Sequence, residues 1–370
     1  MKYYIIAGEA SGDLHASNLM KELKKKDPQA EFRFWGGDLM QAQGGTLVKH
    51  YRELAFMGFA EVLMNLRTIL GNISVAKKDI EAYKPDAVIL VDYPGFNLRI
   101  AEFVKSLGIK VYYYISPQIW AWKTGRVHKI KKVVDKMFVI LPFEEEFYQR
   151  YDYKVDFVGN PLLDSLNNLP EIDEAKFRQE NNLDERPIIA LLPGSRTQEI
   201  KGKLPLMLSV EKDFSDYQFV VAGAPSQPIE NYKKIAGNDL KIVENRTYDL
   251  LRVSHSALVT SGTATLETAL LKVPEVVCYK GNAISYEIGK RIVKNIRFIS
   301  LVNLIMDKEV VKELIQYDLT YENIKHELNL ILNTPKRDQI LKDYDELHHK
   351  LGGVGASERT AKLIVEDLIK

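Results

Sequence analysis

Short apolar runs of strand length recur from one end of the chain to the other, separated by amphipathic stretches with helical spacing. In the first half they are Tyr3–Ala7, Phe32–Trp35, Ala87–Val91, Val111–Ile115 and Met137–Leu141, each ending in a turn such as Gly8-Glu9, Gly36-Gly37 or Asp92-Tyr93-Pro94-Gly95. The pattern restarts at Ile188–Leu192 and continues through Gln218–Ala222, Lys241–Val243, Ala257–Thr260 and Glu275–Tyr279. A run that is apolar throughout, rather than at alternate residues, needs cover on both faces, as a parallel strand between two layers of helices has. At 370 residues the chain exceeds a single core. The expected fold is therefore α/β, with two doubly wound Rossmann-like domains facing each other across a cleft. The first is placed at residues 1–165 and the second at 166–345, with a hinge near Val158-Gly159-Asn160-Pro161. Residues 346–370 form a final helical segment interrupted by Gly352, Gly353 and Gly355. That segment can pack back on the N-terminal domain or onto a partner chain, as in a homodimer, and the sequence leaves both open.

The 51 basic and 50 acidic residues balance to a net charge of +1, which argues against a protein held to nucleic acid by overall charge. The single cysteine, Cys278, lies in an apolar run and reads as a small core residue. It allows no disulfide framework and no thiolate zinc site, in keeping with a cytoplasmic setting. The chain opens on a strand, so no signal peptide is expected, and no apolar run is long enough to cross a bilayer.

Open α/β sheets bind ligands outside the carboxyl ends of their strands. Ser261-Gly262-Thr263-Ala264-Thr265-Leu266-Glu267 leads from such a strand end into a helix. The first amides of a helix lack intrahelical partners and carry the positive end of its dipole, and Gly262 lets an anion approach them. The segment predicts a phosphate site, with Glu267 one turn further on to accept hydrogen bonds from ribose hydroxyls. A plain Ser/Thr-capped helix is the alternative. Pro193-Gly194-Ser195-Arg196 closes Ile188–Leu192 in the same way, and Arg196 brings a bidentate fork suited to a diphosphate. A surface pair between Arg196 and Glu199 is the competing reading. Together the two loops predict a pyrophosphate clamp.

In the first half, Gly8-Glu9-Ala10-Ser11-Gly12-Asp13 lacks the G-x-G-x-x-G spacing of a dinucleotide fingerprint and puts carboxylates where a pyrophosphate would sit. This disfavours a nicotinamide dehydrogenase and suits a hydroxyl-rich sugar, with Glu9 or Asp13 as acceptor. Asp92 leaves a buried strand beside Pro94, Phe96 and Asn97, where desolvation raises its pKa and makes it the best candidate general base. Its alternative is an N-cap for a helix over Leu98–Ser106, a task for which Asn97 is better placed. Ser116-Pro117-Gln118-Ile119-Trp120-Ala121-Trp122 is a rigid aromatic loop, followed by Lys123, Arg126, His128, Lys129, Lys131 and Lys132. That basic run is a solvated helix face or a surface for an anionic acceptor or membrane. His15 stands between a substrate contact and a structural role. No Asp-x-Asp pair sits at a strand end, so no metal or other cofactor is expected.

Phe59, Val62, Leu63, Leu66, Ile69 and Leu70 share one helical face. Periodicity alone assigns such a stripe to a core. With an acylated ligand it becomes a greasy rim that dips into a bilayer, with Arg67, Lys77 and Lys78 near lipid phosphates. Ile288, Ile292, Val293 and Ile296, interleaved with Lys290, Arg291, Lys294 and Arg297, offer a second such surface.

These segments carry a family resemblance. Gly8–Asp13, Leu54-Ala55-Phe56-Met57-Gly58, Asp92–Asn97, Ser116–Trp122, Leu141-Pro142-Phe143-Glu144, Pro193–Arg196, Ser261–Glu267 and Ser300-Leu301-Val302-Asn303 stand in the order found in lipid-A-disaccharide synthases. The chain thus resembles a family of bacterial inverting glycosyltransferases of the two-domain GT-B type. The resemblance implies transfer of 2,3-diacylglucosamine from UDP to the 6-hydroxyl of 2,3-diacylglucosamine 1-phosphate (lipid X), giving a β-1,6-linked disaccharide 1-phosphate and UDP. It implies an acceptor-binding N-terminal domain and a donor-binding C-terminal one. Asp92 takes the catalytic position and Glu9 joins it. Gly194, Ser195, Arg196, Ser261, Gly262, Thr263, Glu267 and Asn303 go to UDP, while Asn97, Trp120, Lys123 and Arg126 go to the acceptor and its phosphate. The Phe59–Leu70 stripe goes to acyl chains and the cytoplasmic face of the inner membrane, where the protein is expected to be peripheral. Many members carry a second aspartate where this chain has Gly95, which concentrates the base role on Asp92. The competing readings are a UDP-N-acetylglucosamine 2-epimerase, a peptidoglycan-precursor transferase and a non-catalytic lipid- or nucleotide-binding protein of the same fold.

Overall fold

A computed structural model describes residues 1–54, 66–122, 124–282, 286–287 and 297–370, leaving aside the side chains of residues 66, 67 and 122. These residues form two compact units, Met1–Asn167 with Leu351–Lys370, and Asn168–Lys350.

The first unit is built on β1 (Lys2–Ala7), β2 (Glu31–Gly36), β3 (Thr46–His50), β4 (Ala87–Val91), β5 (Lys110–Tyr114), β6 (Lys136–Val139) and β7 (Asp156–Phe157). Their order is β3-β2-β1-β4-β5-β6-β7, and neighbouring strands are parallel. Successive side chains of a strand point to opposite faces, so a wholly apolar strand feeds two cores. Tyr4 and Ile6 of β1 join Val88, Leu90 and the apolar faces of helices Leu66–Tyr83 and Pro94–Ser106. Tyr3, Ile5 and Ala7 join Ile89, Val91 and the helix Ala10–Lys26 on the other side. The terminal helix Ala356–Ile369 completes that second layer. Its Ala361, Ile364 and Val365 are in the core, and its Asp367 accepts from Tyr112 Oη at 2.7 Å.

The second unit holds β8 (Ile188–Leu192), β9 (Gln218–Gly223), β10 (Ile242–Glu244), β11 (Ser254–Thr260), β12 (Glu275–Tyr279) and β13 (Lys312–Ile315). The order β10-β9-β8-β11-β12-β13 is again parallel throughout. Both sheets therefore reverse their strand order once. The reversal lies between β1 and β4 in the first and between β8 and β11 in the second, where helices leave to opposite faces and a crevice opens.

Three strands escape a reading based on apolar runs. β3, β7 and β13 lie at sheet edges, and an edge strand tolerates mixed sequences such as Lys-Glu-Leu-Ile because one side faces no neighbour. The helix after β4 begins at Pro94, not at Leu98. Proline lacks the amide that a first helical turn leaves unpaired anyway, so it starts the helix and Tyr93 is its N-cap.

Glu275 enters β12 fully buried, and neither carboxyl oxygen has a hydrogen-bond partner among the described residues. Burial, with the nearby Glu313 charge, pushes its pKa well above the usual 4.5. The folded chain then keeps a proton that the unfolded chain has released, so stability falls as pH rises from about 4.5. Thermal melting of Glu275→Gln should show a flatter pH dependence, with the gain over the unmodified protein growing towards neutral pH. Equal slopes in the two proteins would count against a buried acid here.

Candidate active site

Asp92 stands directly after β4, at the point where the first sheet reverses its strand order. Asp92 and Tyr93 have φ of 45° and 49°, so two consecutive non-glycine residues occupy the left-handed region. Such a pair is strained and persists only where its surroundings hold it. Asn97 Nδ2 donates to the Asp92 carbonyl at 2.8 Å, to Val91 O at 3.3 Å and to Ile6 O at 3.4 Å. Tyr113 Oη donates to the same Asp92 carbonyl at 2.6 Å, and the Asp92 amide donates to Tyr114 O at 3.0 Å. The loop after β1 presses from the other side. A Cβ at Gly8 would lie 2.4 Å from the Tyr93 ring, so only glycine lets the two loops meet.

The backbone of Asp92 is thus clamped while its carboxylate makes no ion pair among the described residues. Burial raises its pKa to about 6, and the charge of Glu9 adds to the rise while the Tyr93 amide opposes it. Glu9 is the N-cap residue of the helix Ala10–Lys26, yet its side chain makes no cap hydrogen bond and is exposed. Asp13, the other acid of that loop, is buried. Its carboxylate accepts from Gly37 N at 2.7 Å, Met40 N at 3.1 Å and Leu39 N at 3.1 Å. Of the two acceptors offered to a sugar, Asp13 is occupied with the backbone and Glu9 is free.

Asp92 opens into a cavity of about 280 Å³ shared with Ser116, Pro117, Gln118, Arg126 and Glu144. Arg126 makes no ion pair among the described residues, so one guanidinium shares the cavity with two carboxyl groups, those of Asp92 and Glu144. Glu144 is 1% exposed and accepts from Leu141 N at 3.0 Å and Ile140 N at 3.3 Å. Burial raises its pKa to about 7, against the pull of those amides and of Ser116. Sequence reasoning missed Glu144 as a site residue, because an acid in the first turn of a helix reads as a partner of the helix dipole. Trp120 packs edge-on against Phe143, with ring centroids 4.9 Å apart. Asn97 is wholly buried and its amide is used on the Asp92 turn; it lies inside the helix that begins at Pro94, which corrects its placement as the cap of a later helix. His15 is half-buried with its Nδ1 shut off from solvent, and that desolvation lowers its pKa to about 4, so it stays neutral.

In the second unit the loops after β8 and β11 flank the reversal point. Arg196 is the N-cap residue of the helix Thr197–Ser209, exposed and without an ion pair among the described residues. Glu199 instead accepts from Ser195 N at 3.1 Å, and its carboxylate lies against Gly194, so the Arg196–Glu199 pair does not form. The helix Thr263–Leu270 starts at Gly262, with φ of 140° and no side-chain cap, and the space beside Gly262 is open. Ser261 Oγ donates to Ile299 O at 3.0 Å, and Thr263 is exposed. Uncapped amides and a free guanidinium at one sheet edge are the elements of an anion site. Glu267 accepts from Tyr248 Oη at 2.8 Å, and burial raises its pKa.

Asn303 is not free for a ligand. It is wholly buried; its Nδ2 donates to Val311 O and Glu313 Oε1, and its Oδ1 accepts from Val310 N and Val311 N. The residue braces the turn into β13. Phe59, Val62, Leu63, Lys123, Ile288, Lys290, Arg291, Ile292, Val293, Lys294 and Ile296 lie outside the described residues, as does the side chain of Leu66. Ile69 packs against the first core and Leu70 is exposed. Cys278 is buried in β12.

A sequence model of the family described as lipid-A-disaccharide synthetase matches residues 3–366. The chain is 38% identical to a lipid-A-disaccharide synthase of Geobacter metallireducens, over 99% of this chain and 97% of that protein. It is 41% identical to one from Syntrophus aciditrophicus, over 96% and 95% of the two chains. Among solved structures, a UDP-GlcNAc 2-epimerase from Neisseria meningitidis bound to UDP-GlcNAc matches with a TM-score of 0.64 at 16% identity, covering 100% of both chains. At that identity the likeness is one of fold.

Carbon-13 NMR of the Asp92 carboxyl should show a titration midpoint near pH 6. In Glu9→Gln the midpoint should fall, because one of the two causes of the rise is removed. An unchanged midpoint would mean that Glu9 lies too far away to act on it.

Proposed function

The chain belongs to the lipid-A-disaccharide synthetase family and is a glycosyltransferase that builds the lipid A disaccharide, and from this premise we propose its substrates and the residues that serve the step. The donor is UDP-2,3-diacylglucosamine and the acceptor is 2,3-diacylglucosamine 1-phosphate. Asp92 takes the proton of the acceptor 6-hydroxyl while that oxygen attacks the anomeric carbon of the donor. The bond from that carbon to the diphosphate breaks as the new glycosidic bond forms on the opposite face, so one displacement inverts the centre and releases UDP. The observation that carries the reading is a clamped, partly desolvated carboxylate, free of any ion pair among the described residues, in one cavity with the Arg126 guanidinium.

Each neighbour has a physical task in this step. Glu9 keeps Asp92 basic near neutrality through its charge. Arg126 attracts the acceptor phosphate. Arg196 and the open amides at Gly262 and Thr263 stabilise the departing diphosphate, on which negative charge grows as the bond breaks. Glu267 faces the ribose hydroxyls. Gly95 meets nothing within 4 Å, so the aspartate that many relatives carry there would fit without clash; this chain leaves the base role to Asp92.

Acyl chains are insoluble in water, so the reaction belongs at a bilayer surface. No described helix is long and apolar enough to cross a membrane. The exposed Leu70 on the helix Leu66–Tyr83, the last residue of the Phe59–Leu70 stripe, supports a peripheral contact.

Mass spectrometry after incubation with the two acylated sugars should detect a tetraacyl disaccharide 1-phosphate and UDP. UDP-N-acetylglucosamine without acyl chains should give no turnover, and a 2-epimerised product from it would sink the transferase reading. Asp92→Asn should lower kcat roughly 10²–10⁴-fold while UDP still binds. In the unmodified enzyme kcat/KM should rise with pH through about 6, because the base works only when deprotonated.

A further inference from the structure

Lys203 lies in the helix Thr197–Ser209 and is 3% exposed. Burying an ammonium costs several kcal/mol unless an opposite charge meets it. Here the only hydrogen-bond partner among the described residues is neutral: Nζ donates to Thr260 Oγ1. No carboxylate lies within ion-pair distance among the described residues, and burial lowers the pKa, only partly offset by the more distant charge of Glu199. The Cys278 thiol is the other titratable group facing it.

Its surroundings link the two anion loops. Thr260 ends β11 and is followed by Ser261 and Gly262, where the uncapped helix begins. Glu199, one turn before Lys203 on the same helix, holds the Ser195 amide at 3.1 Å. Two residues of extended chain span only about 7 Å, so the buried charge sits no more than roughly 12 Å from the open amides at Gly262. Low dielectric strengthens its field there.

We propose that Lys203 is a positioning residue that joins the Pro193–Arg196 loop to the Ser261–Thr263 loop and lends its charge to the diphosphate received there. The inference rests on the donor-site reading above. In the free protein the ammonium has no counterion among the described residues; the nucleotide supplies one, and part of the cost of burial is returned as affinity. Removing the charge should weaken a ligand with a diphosphate and leave one without it unaffected.

Calorimetric titration of the unmodified protein, Lys203→Met and Thr260→Val with UDP and with uridine tests this. Methionine fills a similar volume without charge, so the variant should keep or raise the melting temperature. UDP should bind each variant about tenfold more weakly, uridine should bind all three alike, and the double variant should lose little more than either single one. The donor KM should rise with kcat nearly unchanged. Equal UDP affinity in a folded Lys203→Met overturns the proposal, as does an equal loss for UDP and uridine. If Lys203→Met does not fold, Thr260→Val alone decides by the same comparison. Failure of the unmodified protein to bind UDP would instead overturn the donor-site reading itself.

Discussion

A parallel strand must be covered on both faces, and the connection to the next strand must cross back over the sheet. In this chain that requirement brings the carboxyl ends of each sheet's strands to one edge, and it does so in both sheets. Gly8, Asp92, Ser116 and Leu141 all follow strands of the first sheet, and Pro193 and Ser261 follow strands of the second. Gly8 and Asp92, 84 positions apart, and Pro193 and Ser261, 68 positions apart, come to one edge because the strands that precede them are adjacent. The apolar cores fix the strands, and the strands fix the chemistry.

Along those edges the polar side chains divide into two sets. Asp13, Asn97 and Asn303 are buried, and their hydrogen-bonding groups serve backbone groups of turns that would otherwise be unpaired. Asp92, Arg126, Arg196 and the amides at Gly262 have no such protein partners among the described residues. The first set supports the second. Without Asn97 and Tyr113 on its carbonyl, the left-handed turn at Asp92 and Tyr93 would relax, and the carboxylate would lose its fixed position. Positioning of this kind lets a side chain act without first reorganising its surroundings.

The central strands were legible in the sequence because their apolar runs are continuous. Ala87–Val91, Ile188–Leu192 and Glu275–Tyr279 coincide with β4, β8 and β12. β3, β7 and β13 were not, since an edge strand is half solvated and keeps no distinctive pattern. The desolvated state of Asp92 was legible from a carboxylate directly after a buried strand beside aromatic residues. Glu144 was not: nothing in Leu141-Pro142-Phe143-Glu144 tells that the side chain turns inward to two amides and a cavity. The backbone bonds of Asn97 and Asn303 were not legible either, because an asparagine looks alike in sequence whether or not it holds the chain's own backbone.

The sequence alone determined the layered α/β architecture, the two-fold recurrence of its strand pattern, and which strand-end loops carry acids, basic residues and the start of a helix. These depend on periodicity and on the order of turn residues, which are local properties of a chain. Strand order, the shared cavity of Asp92, Arg126 and Glu144, and the link from Lys203 to Thr260 were decided only by the tertiary structure. Whether a polar group is free, clamped or deprived of water depends on side chains far away in sequence, and packing alone brings those together.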